Sequence, residues 1–235
     1  MNTPLIPSDR LIVALDTPTV DAASRLVERL EGCVTFYKIG LELAMSGGLG
    51  FARELVAAGY RVFLDMKLLD IENTVQRAVS NIADSGLHFL TVHGIDRKTL
   101  RAATQGAEGS DLKILAVTVL TNLTDSDLSE QGFRRRTASE LVQHRASLAR
   151  QSGCHGVISS GEEAAAVRAL TGSDFLIVTP GIRLAGDAHG DQARVTTPQR
   201  ALSSGASHIV VGRPITQAED VRVAAEDFLQ AIQQS

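Results

Sequence analysis

Short runs of apolar and β-branched residues alternate along the chain with longer segments in which apolar residues recur every three or four positions. The short runs have the length of buried strands, and the longer segments have the period of helices with one apolar face. The predicted strands cover residues 11–15, 35–39, 61–66, 89–93, 114–119, 156–159, 175–178 and 209–211. The predicted helices cover residues 20–30, 49–57, 74–84, 98–105, 137–151, 162–170, 198–204 and 217–233.

This regular alternation predicts parallel strands that are joined by helical crossovers. Eight such units favour a closed (β/α)8 TIM barrel, and the 235 residues fit a single catalytic domain over positions 1–235. An open, doubly wound α/β sheet is the structural alternative. Its glycine-rich turn after the first strand is missing, because Leu15, Asp16, Thr17 and Pro18 stand at that place.

Composition and charge exclude several classes of protein. The formal net charge is −4, so the chain does not resemble a basic nucleic-acid-binding protein. No apolar run is long enough to span a bilayer, and the polar first residues lack the apolar core of a signal peptide. We expect Cys33 and Cys154 to be buried thiols in a reducing compartment. The expected location is therefore the cytoplasm, without a membrane or nucleic-acid partner.

Polar residues and glycines follow the predicted strands at one end. In a TIM barrel, the chemistry takes place at the carboxyl ends of the strands. Scattered surface charges would not fall so regularly at one end of consecutive strands, so this set predicts a functional site. The set consists of Asp16, Lys38, Asp65, Lys67, His93, Thr121, Ser159, Arg183, Gly212 and Arg213.

The third strand carries the densest group of charges. Asp65 and Lys67 are two residues apart, so we expect their side chains to point to the same side of an extended strand. Charges inside a barrel are costly to bury unless they are paired, and Lys38 at the end of the preceding strand can join this pair. A single pair of this kind would indicate a solvated ion pair. The addition of Lys38 and Asp70 favours a fixed electrostatic network.

The chain resembles the orotidine 5'-phosphate decarboxylases in the motif Asp65-x-Lys67-x-x-Asp70-Ile71-x-Asn73-Thr74. The resemblance extends over nearly the whole chain and includes residues 14–16, 37–40, 117–121, 179–183, 190–194 and 211–216. One departure is Glu72, which stands where many members carry proline. The resemblance implies a homodimer with shared active sites that converts orotidine 5'-phosphate to UMP in pyrimidine biosynthesis, without a metal or an organic cofactor.

The resemblance also implies an alternating catalytic array of Lys38, Asp65, Lys67 and Asp70. Lys67 would donate a proton to C6 of the pyrimidine as carbon dioxide leaves. An ammonium group suits this role because it stabilises developing negative charge and then supplies the proton. Asp65 would lie near the substrate carboxylate and hold Lys67 in position.

The remaining roles concern substrate binding. By the same resemblance, Asp16 and Lys38 would bind the ribose, and Thr121 would hold the pyrimidine. Asp70 and Thr74 would reach a ribose hydroxyl in the site of the neighbouring subunit.

The phosphate end of the site is also indicated by the residues themselves. Gly212 allows a close approach of the backbone, and Arg213 supplies a forked cation, at the strand ends where barrels commonly bind phosphate. Arg183 and Gln192 flank residues 184–191, which contain two glycines and few apolar residues. We expect this segment to be a mobile lid that closes when phosphate binds.

Two alternative functions remain open from the sequence. One is a sugar-phosphate enzyme, either 3-keto-L-gulonate-6-phosphate decarboxylase or hexulose-phosphate synthase, which share the Asp-x-Lys-x-x-Asp strand and use magnesium. The segment from Asp70 to Thr74 and the presence of Gln192 favour the orotidine enzymes instead. The other alternative is a non-enzymatic phosphosugar-binding barrel, which would have little use for a proton donor among carboxylates.

Overall fold

Eight parallel strands surround the centre of the molecule and close into a barrel. The computed structural model describes residues 6–133, 137–185 and 195–235. Each strand pairs with the next one along the chain, and the last pairs with the first. The predicted TIM barrel is therefore confirmed. The strands are β1 (Leu11–Ala14), β2 (Phe36–Ile39), β3 (Arg61–Leu68), β4 (Phe89–His93), β5 (Lys113–Val117), β6 (Gly156–Ile158), β7 (Leu176–Thr179) and β8 (His208–Val211).

Helices connect the strands and cover the outside of the barrel. The longer ones are α2 (Val20–Arg29), α4 (Leu49–Ala57), α5 (Glu72–Ala83), α6 (Arg97–Gly106), α8 (Ala138–Gln151), α9 (Ala164–Thr171) and α12 (Val221–Gln233). The shorter ones are α1 (Pro7–Arg10), α3 (Leu41–Leu43), α7 (Asp125–Glu130), α10 (Pro198–Ser203) and α11 (Arg213–Thr216). A π-helical turn, Ala44–Gly48, joins α3 to α4.

Capping side chains explain several helix boundaries. Thr137 caps α8 in a capping box with Glu140, close to the predicted start of this helix. The predicted helix over residues 217–233 begins later, at Val221, because the side chain of Asp220 accepts hydrogen bonds from the amides of Arg222 and Val223. The apolar pattern continues into the turn before this cap, so the predicted helix begins too early.

Alternate strand residues point into the barrel and fill it. The interior cluster consists of Ile12, Ala14, Phe36, Phe63, Phe89, Leu115, Val178 and Val210, with Ile158 and Leu176 packed against it. The residues between them, such as Val13, Tyr37 and Leu64, belong to a larger cluster with the buried faces of the helices. The inward positions that follow Ala14, Phe36 and Phe63 are Asp16, Lys38 and Asp65. The apolar interior thus ends where the charged residues begin.

His208 lies among aromatic rings at the amino end of the barrel. Its ring centroid is 5.2 Å from that of Phe89 and 6.0 Å from that of Phe36, both in edge-to-face geometry. The residue is buried, and neither ring nitrogen has a hydrogen-bond partner among the described residues. Burial, assisted by the charges of Arg61 and Arg10, lowers the pKa of His208 to about 3.

Two further sequence expectations concern the thiols and the membrane. Cys33 and Cys154 are both free and buried. Among the helices of the described residues, none combines the length and the apolar character that crossing a membrane requires.

Candidate active site

A cavity of about 550 Å³ opens at the carboxyl ends of the strands, directly above the apolar interior. Its floor is formed by interior residues such as Phe63, Val117 and Ile158. Its wall contains most of the residues that the sequence singled out, namely Asp16, Lys38, Asp65, Lys67, Thr121, Arg183, Gly212 and Arg213. The volume is within the usual range of small-molecule sites. The barrel therefore brings together residues that lie up to two hundred positions apart in sequence.

Four charged side chains form a continuous chain of ion pairs across this cavity. Lys38 Nζ lies 2.9 Å from Asp16 Oδ1 and 3.6 Å from Asp65 Oδ2. The other oxygen of Asp65, Oδ1, lies 2.8 Å from Lys67 Nζ. Asp65 therefore stands between two ammonium groups, and the charges alternate in sign from Asp16 to Lys67.

These contacts decide the charge states of the two buried members. Burial raises the pKa of the Asp65 carboxyl, but Lys38, Lys67 and a hydrogen bond from Thr91 more than offset this effect, so the pKa lies below its usual value. Burial likewise lowers the pKa of Lys38, and Asp65 and Asp16 raise it above its usual value. Asp65 is thus an anion and Lys38 a cation at neutral pH, although only 7% of the surface of Lys38 is exposed.

The strand that carries Asp65 and Lys67 is irregular at this point. Leu64 pairs with Leu90 and Leu68 with Val92, so the three β3 residues between them lie opposite the single β4 residue Thr91. Such a bulge redirects the side chains of the longer strand. Lys67 has φ of 50°, a left-handed conformation that no other non-glycine residue of the described ranges adopts. A backbone of this kind costs about 1–2 kcal/mol and is concentrated at functional sites.

The predicted phosphate end lies across the cavity from β3. Arg183 is buried, and its Nη1 donates a hydrogen bond of 2.8 Å to the carbonyl of Ile182. Arg213 is exposed at the start of α11, directly after Gly212. A Cβ on Gly212 would make only ordinary contacts, 3.6 Å from Ala14 and 3.9 Å from Asp16. The packing of the chain itself therefore leaves room beside this backbone.

Comparison with known proteins identifies the family. The sequence profile of the Orotidine 5'-phosphate decarboxylase / HUMPS family matches residues 9–228. The chain belongs to this family.

Curated relatives agree with this assignment. An Orotidine 5'-phosphate decarboxylase of Methylobacterium sp. (strain 4-46) is 52% identical over 99% of this chain and 99% of its own length. A protein of the same name from Bradyrhizobium sp. (strain ORS 278) is 53% identical over 96% of this chain and 92% of its own length. The family description names two groups of proteins, the orotidine 5'-phosphate decarboxylases and HUMPS. Both of these relatives carry the decarboxylase name.

Solved structures in the family share the fold. The crystal structure of Orotidine 5'-phosphate decarboxylase from Lactobacillus acidophilus has a TM-score of 0.83 at 36% identity, and covers 94% of this chain and 98% of its own. An uncharacterized conserved protein from Geobacillus kaustophilus has a TM-score of 0.81 at 33% identity, and covers 94% of this chain and 99% of its own.

Two residues with roles implied by the family resemblance do not line the cavity. Asp70 and Thr74 are exposed and follow the end of β3, outside the cavity lining. Asp70 Oδ1 accepts a hydrogen bond of 2.6 Å from the amide of Ile71, and within the described ranges this carboxylate has no ion-pair partner. Gln192 lies outside the described residues, as does the predicted lid beyond residue 185.

Two residues at the site were given no role from the sequence. Gly40 lines the cavity, and a Cβ there would lie 2.8 Å from Asp16 Oδ1 and 3.1 Å from Lys38 Nζ. Glycine at this position therefore leaves room for the ion pair between Asp16 and Lys38. Thr91 bonds to both Asp65 and Lys67 from the neighbouring strand. Neither residue carries a charge, and each lies beside a charged residue that is distant in sequence, Gly40 beside Asp16 and Thr91 beside Asp65.

Proposed function

We propose that this chain decarboxylates orotidine 5'-phosphate to UMP with Lys67 as the proton donor. The reaction follows from the family and from the full-length relatives that carry its name. The observation that supports the role of Lys67 is the contact of 2.8 Å between its ammonium group and Asp65 at the cavity wall. This ion pair holds the proposed proton donor in place.

The proposed step is a direct replacement of carbon dioxide by a proton. The bond between C6 and the carboxylate carbon breaks, carbon dioxide leaves, and the electron pair remains on C6. The ammonium group of Lys67 stabilises this charge and transfers a proton to C6, which forms the C–H bond of UMP. Lys67 is left as a neutral amine and regains a proton from water. Asp65 holds Lys67 in position and directs it toward the reacting carbon.

Substrate binding is proposed to divide between the two sides of the cavity. Asp16 and Lys38 bind the ribose, and Thr121 holds the pyrimidine. Arg183, Gln192, Gly212 and Arg213 hold the phosphate. The position of Arg183 and Arg213 across the cavity from β3 supports this assignment, and so does the room beside Gly212. Arginine is suited to phosphate because its planar fork donates two parallel hydrogen bonds.

We also propose that the catalytic unit is a homodimer in which Asp70 and Thr74 complete the site of the partner. Asp70 lies outside its own cavity, and its neighbours Leu69 and Ile71 are 50% and 73% exposed. A carboxylate flanked by exposed apolar side chains is what an interface with a polar contact would require. Each partner would then supply one aspartate to the charged array of the other.

The reaction is proposed to need no metal or organic cofactor. Both oxygens of Asp65 face ammonium groups, at 2.8 Å and 3.6 Å, and these positions are the ones that a divalent cation would take. No group of three or more His, Cys, Asp and Glu residues suited to a metal occurs in the part of the chain that the structure describes.

The cellular location and the domain organisation are proposed as well. The buried free thiols of Cys33 and Cys154 support the expected cytoplasmic location. We propose one catalytic domain over residues 1–235.

The loss of orotidine 5'-phosphate absorbance by the purified protein tests the proposed reaction. We expect turnover that persists in excess EDTA. The control substrate is 3-keto-L-gulonate 6-phosphate, the substrate of one of the alternative enzymes, and it should not be decarboxylated. If activity appeared only with this sugar phosphate, and only after magnesium was added back, the chain would instead perform the chemistry of the alternative sugar-phosphate enzymes.

A further inference from the structure

We propose that Thr91 is a positioning residue that holds the backbone of Lys67 and the carboxylate of Asp65 through one hydroxyl group. The inference rests on the proposed roles of Asp65 and Lys67 in the decarboxylation. Thr91 lies in β4, has no exposed surface, and faces the three-residue bulge of β3 from inside the barrel. It does not line the cavity, so its effect on the reaction is exerted through its two partners.

The direction of both hydrogen bonds at this hydroxyl is fixed by chemistry. The backbone N–H of Lys67 donates to Thr91 Oγ1 over 2.9 Å, so this oxygen is the acceptor. The hydroxyl hydrogen is then free to donate to Asp65 Oδ1 over 2.8 Å, and a carboxylate oxygen can only accept. The same Oδ1 also accepts from Lys67 Nζ over 2.8 Å. Thr91, Asp65 and Lys67 thus form a closed ring of three hydrogen bonds.

The ring accounts for two features of the bulge. The bulge removes Lys67 from the regular strand ladder, and the hydroxyl of Thr91 accepts the hydrogen bond of its amide. The left-handed backbone of Lys67 also needs a compensating contact, which this bond supplies. The side chain of Lys67 is attached to that backbone. A change in the backbone conformation would therefore move the ammonium group, the proposed proton donor, relative to Asp65.

Removal of the hydroxyl should therefore affect catalysis in a specific way. Asp65 would lose one donor among the groups that offset the effect of burial and hold its pKa below the usual value. Its pKa would rise, and the acid limb of the kcat profile would move to higher pH. A purely structural role for Thr91 would lower the amount of folded protein without moving this limb.

The experiment compares Thr91→Val, which keeps the shape and removes the hydroxyl, with Thr91→Ser, which keeps the hydroxyl. The control is Thr171→Val on α9, because Thr171 is buried and its hydroxyl donates over 2.7 Å to the carbonyl of Val167, away from the cavity. We expect Thr91→Val to lower kcat roughly tenfold or more, with a smaller change in KM. Thr91→Ser and Thr171→Val should keep kcat within a few-fold of the parent protein. If Thr91→Val does not yield folded protein, Thr91→Ala takes its place, because Thr91→Ala and Thr91→Ser both lack the methyl group and differ only in the hydroxyl.

The outcomes separate this inference from the proposed function. A folded Thr91→Val protein with the parent kcat and the parent acid limb would overturn the role of Thr91, and so would a change in KM alone. Equal losses in Thr91→Ser, which keeps the hydroxyl, and in Thr91→Val would also overturn it, because a general disturbance of packing at this position would then be the cause. An active Lys67→Ala protein would instead overturn the proposed function itself.

Discussion

Lys67 Nζ and Asp65 Oδ1 are 2.8 Å apart. The second oxygen of Asp65 faces Lys38, so the carboxylate cannot turn away from Lys67 without breaking another ion pair. The ion pairs therefore hold in place the charges that are proposed to stabilise a carbanion, so the proposed reaction needs little reorganisation. Rigid strands supply all three residues, which keeps this geometry precise.

Gly40→Ala tests whether the ion pair of Asp16 and Lys38 contributes to substrate binding. The added methyl group would lie 2.8 Å from Asp16 Oδ1 and 3.1 Å from Lys38 Nζ, so these side chains must move apart while the backbone stays in place. We expect kcat/KM for orotidine 5'-phosphate to fall about tenfold, mainly through KM, with little change in the thermal midpoint. Gly50→Ala is the control, because a Cβ there would meet no atom within 4 Å. Equal kinetics for the two variants would contradict this role of Gly40.

Arg213→Ala tests the phosphate site. The change should lower kcat/KM for orotidine 5'-phosphate by a factor of about 10 to 100, because a charge-assisted contact to phosphate is lost. It should leave the slow reaction of the unphosphorylated nucleoside orotidine almost unchanged, since that substrate lacks the group that Arg213 holds. Arg200→Ala, at an exposed arginine of α10, serves as the control. Equal losses for the two substrates would show that Arg213 does not bind the phosphate.

His208 predicts how the stability of the fold depends on pH. The pKa of this residue is about 3 in the folded chain and about 6.5 in the unfolded chain, so the unfolded state binds the proton more readily between these values. The stability that His208 contributes is thus complete above pH 6.5 and is lost as the pH falls toward 3. The loss at pH 5 is about 2 kcal/mol.

Urea unfolding of His208→Leu at pH 7 and pH 5 measures this effect. At a fixed protein concentration, the free energy of unfolding should decrease less in His208→Leu than in the parent protein over this range. The control is His144→Gln, at an exposed histidine of α8. If the parent protein and His208→Leu lost the same stability between the two pH values, His208 would not be the residue responsible.

The shared active site predicts that two inactive variants can restore each other. Lys67→Ala and Asp70→Ala are mixed under conditions that allow subunits to exchange. One site of each mixed dimer takes its lysine from one chain and its aspartate from the other, so that site is complete. Random mixing makes about half of the dimers mixed, with one of two sites intact, so recovery should approach about a quarter of the parent activity.

In the control for this mixing experiment, Lys67→Ala is mixed with a double variant that carries both Asp70→Ala and Lys67→Ala. Neither chain of this mixture can supply the lysine. This mixture should stay inactive. An inactive mixture of the two single variants, in which mixed dimers are demonstrated by mass spectrometry, would rule out a site that is completed by Asp70 of the partner.

Much of the barrel could be predicted because its strands are short apolar runs at regular intervals. The prediction for β4 had the observed boundaries, and α4 began at Leu49 and ended at Ala57 as expected. The short helices α3 and α11 were missed because three or four residues do not show a helical period. Glu72, which departs from the usual proline of the family, is the first residue of α5, a position where proline is well tolerated.

The finer geometry of the site depends on contacts that the sequence does not display. Simple alternation predicted that Asp65 and Lys67 would share one side, and both do line the cavity. They reach it through a bulge and a left-handed backbone at Lys67. The sequence does not indicate this conformation, because glycine is the residue that usually marks it and lysine stands there instead. Thr91 and Gly40 lie beside residues that are distant in sequence, so their proposed roles appear only after the barrel has closed.

The rate of orotidine 5'-phosphate decarboxylation by purified Lys67→Ala is the most direct measure of whether Lys67 supplies the proton. The control is Lys98→Ala, at an exposed lysine of α6, and thermal unfolding of both variants should show that the fold is intact. We predict that Lys67→Ala loses activity by a factor of about 1,000 or more, because the charge and the proton source vanish together, and that Lys98→Ala keeps the parent rate. A folded Lys67→Ala protein with near-parent activity would contradict the assignment of Lys67 as the proton donor.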